Sequence, residues 1–232
     1  MSDNITAERK GVGARLPRRE DKRYLMGRGR FVGDIRYPGM LEMAFVRSPF
    51  AHASIKSITK PDGADDSVFA AADLIGVKGI KADSSLPGFR SSIQPILATP
   101  KTRHVGEPIV ACLAESRALA EDLAESVDID FEELPVVHEM TQAMHPSAAI
   151  LHDGWDENCF LESAVEVDFE NAIKNATSRV TRTFRTSRQC MAPIEGRGVV
   201  ALWDNQLEQL TIYSATQMPH IVRTGLSECL DL

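Results

Sequence analysis

Between Val105 and Val137 the chain alternates two hydrophobic periods, and this alternation restricts the fold more than any other stretch. Ile109 to Ala114 is a short, almost wholly apolar run, the pattern of a strand buried on both faces. Ser116 then sits where an N-cap is expected, with Leu119, Leu123 and Val127 at four-residue spacing behind it. Val127, Ile129 and Phe131 alternate with Asp128, Asp130 and Glu132, which suits a half-buried strand. The sequence therefore predicts strand, helix, strand, closed by Pro135. No glycine-rich loop separates the first strand from the helix, so the unit offers no phosphate cradle.

The flanking segments read less sharply. Residues 1–16 are polar and read as an extended arm. Gly27 to Asp34 carries a Gly-x-Gly pair but lacks the preceding strand, third glycine and following helix of a nucleotide loop, so a tight turn is expected. Leu41–Arg47 and Ala51–Ile58 read as strands, Ala70–Ile75 as a short helix and Ser84–Pro95 as loop. Residues 138–162, with Pro146 and Gly154, read as a linker and supply the main domain boundary. Beyond it, 169–176 reads as a short amphipathic helix and 180–185 as a strand. The runs 199–204 and 210–214 read as a hairpin, and Pro219 opens a helix.

Charge and cysteine usage exclude several classes. A 232-residue chain with 43% hydrophobic and 25% charged residues is an ordinary globular composition. Its net charge of −7 argues against general affinity for nucleic acid. Residues 1–60 nevertheless hold 13 Lys/Arg against 6 Asp/Glu. This basic segment reads as a solvated surface or a face that docks a partner, with nucleic-acid binding the alternative. The cysteines at 112, 159, 190 and 229 share no metal-ligand spacing, and Cys112 and Cys229 fall on apolar faces as buried thiols of a reducing cytoplasm. No apolar stretch of about 18 residues predicts a membrane span. Arg18-Arg19 is followed by charged residues and not by an apolar segment, so no export signal is expected there.

The central block and the N-terminal third together resemble a known family. Gly106-Glu107-Pro108, Ala120-Glu121-Asp122 and Phe131-Glu132-Glu133-Leu134-Pro135 are similar to the large subunit of the molybdenum hydroxylases, as are Pro38-Gly39-Met40-Leu41 and Arg47-Ser48-Pro49-Phe50-Ala51-His52-Ala53. That family includes xanthine dehydrogenases, aldehyde oxidases and aerobic carbon monoxide dehydrogenases. The resemblance implies an α+β chain, with an a/b hammerhead domain followed by the truncated start of a molybdopterin-binding domain. The expected parts are an arm over 1–19, the hammerhead over 20–137, a linker over 138–162 and the incomplete molybdopterin-binding domain over 163–232.

Two residues stand out as site candidates under that resemblance. Ser214-Ala215-Thr216-Gln217-Met218-Pro219-His220 resembles the family segment whose glutamine hydrogen-bonds the apical oxo ligand of molybdenum, which implies that role for Gln217. A neutral amide donates to a metal-oxo oxygen without adding charge. The alternative is a polar residue capping the next helix. Glu195, in Pro193-Ile194-Glu195, is a candidate for the substrate funnel, and equally for an ion pair with Arg188 or Arg197. His52 is a ligand or acid/base candidate, but a structural histidine with a hydrogen-bonded ring is the favoured reading. His138, His145 and His152 suit no common ligand geometry and read as surface residues.

The resemblance further implies a molybdopterin-type cofactor held at a partial site, with Fe-S clusters and FAD on partner subunits. The family's general-base glutamate lies in a region with no counterpart here, so no catalytic residue and no directly bound metal is expected in this chain. The chain alone is expected to be inactive, with a separate chain supplying the rest of the subunit. The competing expectation is an inactive fragment or interaction module with an exposed apolar edge over 199–232.

Overall fold

The computed structural model describes residues 11–14 and 17–232, so most of the expected arm over 1–16 lies outside the described residues. Helix α1 (Asp21–Leu25) and a 3-10 turn (Val32–Asp34) precede β1 (Glu42–Arg47), β2 (Ala53–Thr59) and β3 (Val68–Ala70). A second 3-10 turn (Ala71–Asp73) leads to β4 (Ile80–Lys81), β5 (Ile93–Gln94) and β6 (Lys101–Thr102). Then come β7 (Pro108–Ala114), α2 (Arg117–Glu125) and β8 (Asp128–Glu133). The order ends with α3 (Met140–Ala143), α4 (Phe169–Asn175), β9 (Val199–Asp204), β10 (Gln209–Ser214) and α5 (Pro219–Leu230). These elements fall into two compact units. The larger takes Pro38–Ser187 and Met218–Leu232; the smaller takes the residues up to Tyr37 and Arg188–Gln217. Each unit thus draws on two separated stretches, whereas the boundaries expected from sequence are sequential.

The larger unit is built around the predicted strand–helix–strand. β7 lies between β1 and β3, antiparallel to both, so Cys112 faces Ala44 on one side and Val68 on the other. Ile109, Val110 and Cys112 are fully buried, as a run without polar residues requires. A second sheet places β2 between β6 and β8, pairing Ile55 with Phe131 and Ile58 with Ile129. Those apolar residues pack with Val46, Leu123 and Val127 against Val68, Ile109 and Val110. Each fully buried aliphatic side chain here contributes about 1.5–3 kcal/mol. The Ser116 hydroxyl accepts the Leu119 N–H and caps α2, whose Ala120 is fully buried. On β8 the outward Asp128, Asp130 and Glu132 alternate with inward Ile129 and Phe131.

Four local expectations fail for identifiable reasons. Residues 70–75 are not an α-helix: Val68–Ala70 pairs with β7, and the Ala70 N–H donates to the Asp73 carboxylate at 2.7 Å to close a 3-10 turn. Strand pairing in the core overrides the helical propensity of three alanines. The 84–95 stretch contains β5, which pairs with β4. Their approach depends on Gly79, where a Cβ would lie 2.6 Å from Ile93 Cγ2 and 2.9 Å from the Gln94 carbonyl oxygen. Residues 138–162 are docked rather than loose. Lys101 pairs with Asp153 at 2.7 Å, Arg90 with Asp156 at 2.5 Å, and the Asn158 amide donates to the carbonyls of Ala143 and Ala149. Residues 180–185 form no strand; Val180 and Phe184 are exposed and find no ladder partner among the described residues.

The smaller unit centres on the predicted hairpin. β9 and β10 pair antiparallel from Asp204–Gln209 to Val199–Ser214, and Asp204 accepts the Gln206 and Leu207 N–H groups at the turn. The Tyr37 and Tyr213 hydroxyls lie 2.8 Å apart, and this hydrogen bond raises the Tyr37 pKa. Val199, Trp203 and Leu207 leave apolar surface exposed, as the reading of 199–232 anticipated. Helix α5, which belongs to the larger unit, starts with Pro219 and ends at Asp231 in a left-handed conformation (φ 61°). Among the described residues no helix is long and apolar enough to cross a membrane.

Candidate functional site

Gln217 is an exposed residue at a bend between β10 and α5. Two local constraints shape this corner. β10 ends at Ser214, and Pro219 fixes the backbone at the first turn of α5 while lacking an N–H to satisfy. The N-cap is Met218, whose own side chain makes no capping hydrogen bond. No hydrogen bond of the Gln217 amide is found among the described residues.

Glu195 is placed differently from the expected ion pair. Its carboxylate accepts the backbone N–H of Val32 at 3.0 Å and is half-buried, so it fastens the turn before β9 to the 3-10 turn at 32–34. Neither Arg188 nor Arg197 is its partner in this arrangement. The packing is close here, since a Cβ on Gly198 would lie 3.3 Å from Val32 Cγ1.

The histidines divide. His52 is buried and its Nδ1 lies 2.8 Å from the Pro135 carbonyl oxygen, in keeping with a structural ring. His138 and His145 are exposed. His152 is not a surface residue: it is half-buried and packs against Trp155 with ring centroids 4.6 Å apart and the rings tilted by 35°. Burial, then the charges of Arg103 and Lys101, push its pKa below 6.5. Cys112 and Cys229 are buried thiols, and burial raises the Cys112 pKa.

Sequence reasoning gave Glu107 no role beyond its motif. It is buried, and its carboxylate accepts the Arg103 N–H at 2.5 Å with the His104 Nδ1 at 3.7 Å. A carboxylate immediately before an apolar strand was the available signal; its partners lie in the preceding turn and carry no periodic signature.

With this geometry in place, comparison with known proteins is specific. The family model described as "Aldehyde oxidase and xanthine dehydrogenase, a/b hammerhead domain" matches residues 26–135, and that of the molybdopterin cofactor-binding domain matches 151–232. The large subunit of nicotine 6-hydroxylase from Paenarthrobacter nicotinovorans is 35% identical over 93% of this chain. The carbon monoxide dehydrogenase large chain of Hydrogenophaga pseudoflava is 31% identical over 94% of it. The chain spans 27% and 29% of the length of these two relatives. Quinoline 2-oxidoreductase from Pseudomonas putida 86 superposes with a TM-score of 0.85 at 36% identity, over 93% of this chain and 28% of that one.

Proposed function

Because this chain belongs to the molybdenum hydroxylase large-subunit family, we propose that it forms the N-terminal portion of a subunit that hydroxylates an aldehyde, an aromatic heterocycle or a similar carbon centre with water. The observation that carries this reading is the order of the two family matches, hammerhead then molybdopterin cofactor-binding domain, along one chain. When bound, a molybdopterin-type cofactor supplies the two-electron oxidation. Gln217 of this chain would supply a neutral amide donor to an oxygen of that cofactor. Gln217 follows the end of β10 at Ser214 and precedes Pro219 in the first turn of α5. The left-handed end of α5 is held by Lys78, whose N–H reaches the Cys229 carbonyl at 2.8 Å and whose ammonium reaches Asp231 at 2.9 Å.

The names "large subunit" and "large chain" of the relatives imply smaller partner subunits, which would carry Fe-S clusters and FAD to take up the electrons. The basic segment before residue 60 is the docking surface for the Fe-S subunit. The test is isolation of the native protein that contains this chain from its own host, followed by molybdenum, iron and flavin assays. Stoichiometric molybdenum with co-purifying iron and flavin is expected. Protein purified from a molybdenum-replete host without molybdenum or iron would sink the reading.

A further inference from the structure

The basic segment before residue 60 divides into two parts in the structure. Its later cations are engaged within the larger unit. Arg47 donates to the Gly106 carbonyl at 2.8 Å, Lys56 pairs with Glu132, and Lys60 pairs with Asp73 at 2.9 Å. The earlier cations are not engaged in this way. Arg18, Arg19, Lys22, Arg23, Arg28 and Arg30 are all exposed, and none pairs with a carboxylate among the described residues. Two of the three carboxylates between residues 18 and 34 are turned to the backbone instead. Asp21 accepts the Arg18 N–H at 3.1 Å, and Asp34 accepts the Phe31 N–H at 2.9 Å.

These cations surround an apolar centre that the local fold builds. Helix α1 closes at Gly27, whose left-handed backbone (φ 66°) lets the Arg28 N–H reach the Arg23 carbonyl at 2.7 Å. Gly29 lets the turn lie against Tyr24, because a Cβ there would sit 2.8 Å from Tyr24 Cδ1. Tyr24 then stacks on Phe31 with ring centroids 6.4 Å apart, and the Arg23 guanidinium lies 5.1 Å from the Tyr24 ring centre. Both glycines of the Gly-x-Gly pair therefore serve one knuckle. Beside its rings, Leu25 is 87% exposed and Met26 52% exposed.

The composition narrows the partner. Arg, Tyr, Phe and Met are the residues enriched at protein interfaces, where an apolar centre sits inside a polar rim. A nucleic acid would approach a chain of net charge −7, and its phosphates would leave Leu25 and Met26 uncovered. An acidic protein surface with an apolar centre satisfies both the cations and the apolar side chains.

We propose that the knuckle over residues 18–31, and not the strands that follow it, is the contact that takes an acidic, apolar-centred face of the Fe-S subunit. This rests on the molybdenum hydroxylase reading above. The test isolates the native protein from its own host and reads the iron retained per chain after washing at rising salt. Four forms are compared: wild type, Arg23→Glu combined with Arg28→Glu, Leu25→Asp, and Lys56→Glu as a basic position outside the knuckle. Both knuckle variants are expected to hold at least about tenfold less iron than wild type near physiological ionic strength, because like charges or a buried carboxylate are placed at the contact. Lys56→Glu is expected to hold wild-type iron. If circular dichroism shows that the double variant does not fold, Leu25→Asp decides, since so exposed a side chain contributes nothing to a core. Wild-type iron in the folded knuckle variants, or an equal loss in Lys56→Glu, would overturn this inference and leave the molybdenum reading standing. Wild-type protein that carries nucleic acid and no iron would overturn both.

Discussion

The Glu195 carboxylate accepts the Val32 backbone N–H at 3.0 Å, joining residues 163 positions apart in the chain. This contact ties the two stretches of the smaller unit together ahead of β9. Glu195→Ala is expected to cost about 1–2 kcal/mol, because it leaves a half-buried N–H unpaired. Glu195→Gln keeps a neutral acceptor and costs less. Urea midpoints and amide exchange at Val32 measure both effects, with faster exchange expected for the alanine variant. A changed substrate KM with an unchanged midpoint would place Glu195 at the substrate funnel.

Helix α2 depends on a different kind of contact, local in sequence. The Ser116 hydroxyl caps the Leu119 N–H at 3.3 Å, and the helix lays Leu123 and Ala124 on the core. Ser116→Ala is expected to lower stability by about 1 kcal/mol, and Ser116→Gly by only a few tenths. Equal losses for the two variants in denaturant unfolding would show that the hydroxyl does not act as a cap.

That helix also shows what the sequence made legible. Ser116, the four-residue leucine spacing and the unbroken apolar run at 109–114 each act within a few positions, so pattern reading reached them. The charged-apolar alternation of β8 was readable for the same reason. β3 was not, because Ala70–Ala72 has helical propensity and only pairing with the distant β7 makes Val68–Ala70 a strand. The docked 138–162 segment was missed because Lys101, Arg90, Asp153 and Asp156 are ordinary surface charges until the fold brings them together. The role of Gln217 was read from resemblance alone, because nothing in its local pattern separates a cofactor donor from a cap.

The packing of His152 against Trp155 gives the fold a pH dependence of known sign. The folded-state pKa of His152 lies below 6.5, so above pH 6.5 the ring is neutral in both folded and unfolded chains and its contribution is complete. As pH falls from 6.5 toward the depressed folded value, the unfolded chain takes up the proton first and stability drops. Asp153 acts at lower pH: Lys101 holds its pKa below 3.8, so its contribution persists down to that range and is lost as pH falls through the folded value. The urea midpoint is therefore expected to fall between pH 7.5 and 5.0, and His152→Phe, which keeps an aromatic partner for Trp155, is expected to flatten that fall. An unchanged slope in the variant would assign the dependence to other groups.

Gln217 carries the reading of the smaller unit's end. Its amide makes no hydrogen bond among the described residues, so replacing it removes little from the fold. In the native protein, Gln217→Ala is expected to keep the stability within about 0.5 kcal/mol of wild type, the usual range for exposed substitutions, and under the proposed function to lower turnover. Loss of one preorganised donor to a developing charge is expected to lower kcat by about a hundredfold or more. Molybdenum content separates two outcomes within that loss. Retained metal with reduced kcat assigns Gln217 to positioning charge at the cofactor, and reduced metal assigns it to holding the cofactor. Wild-type kcat and full metal content would remove Gln217 from the site.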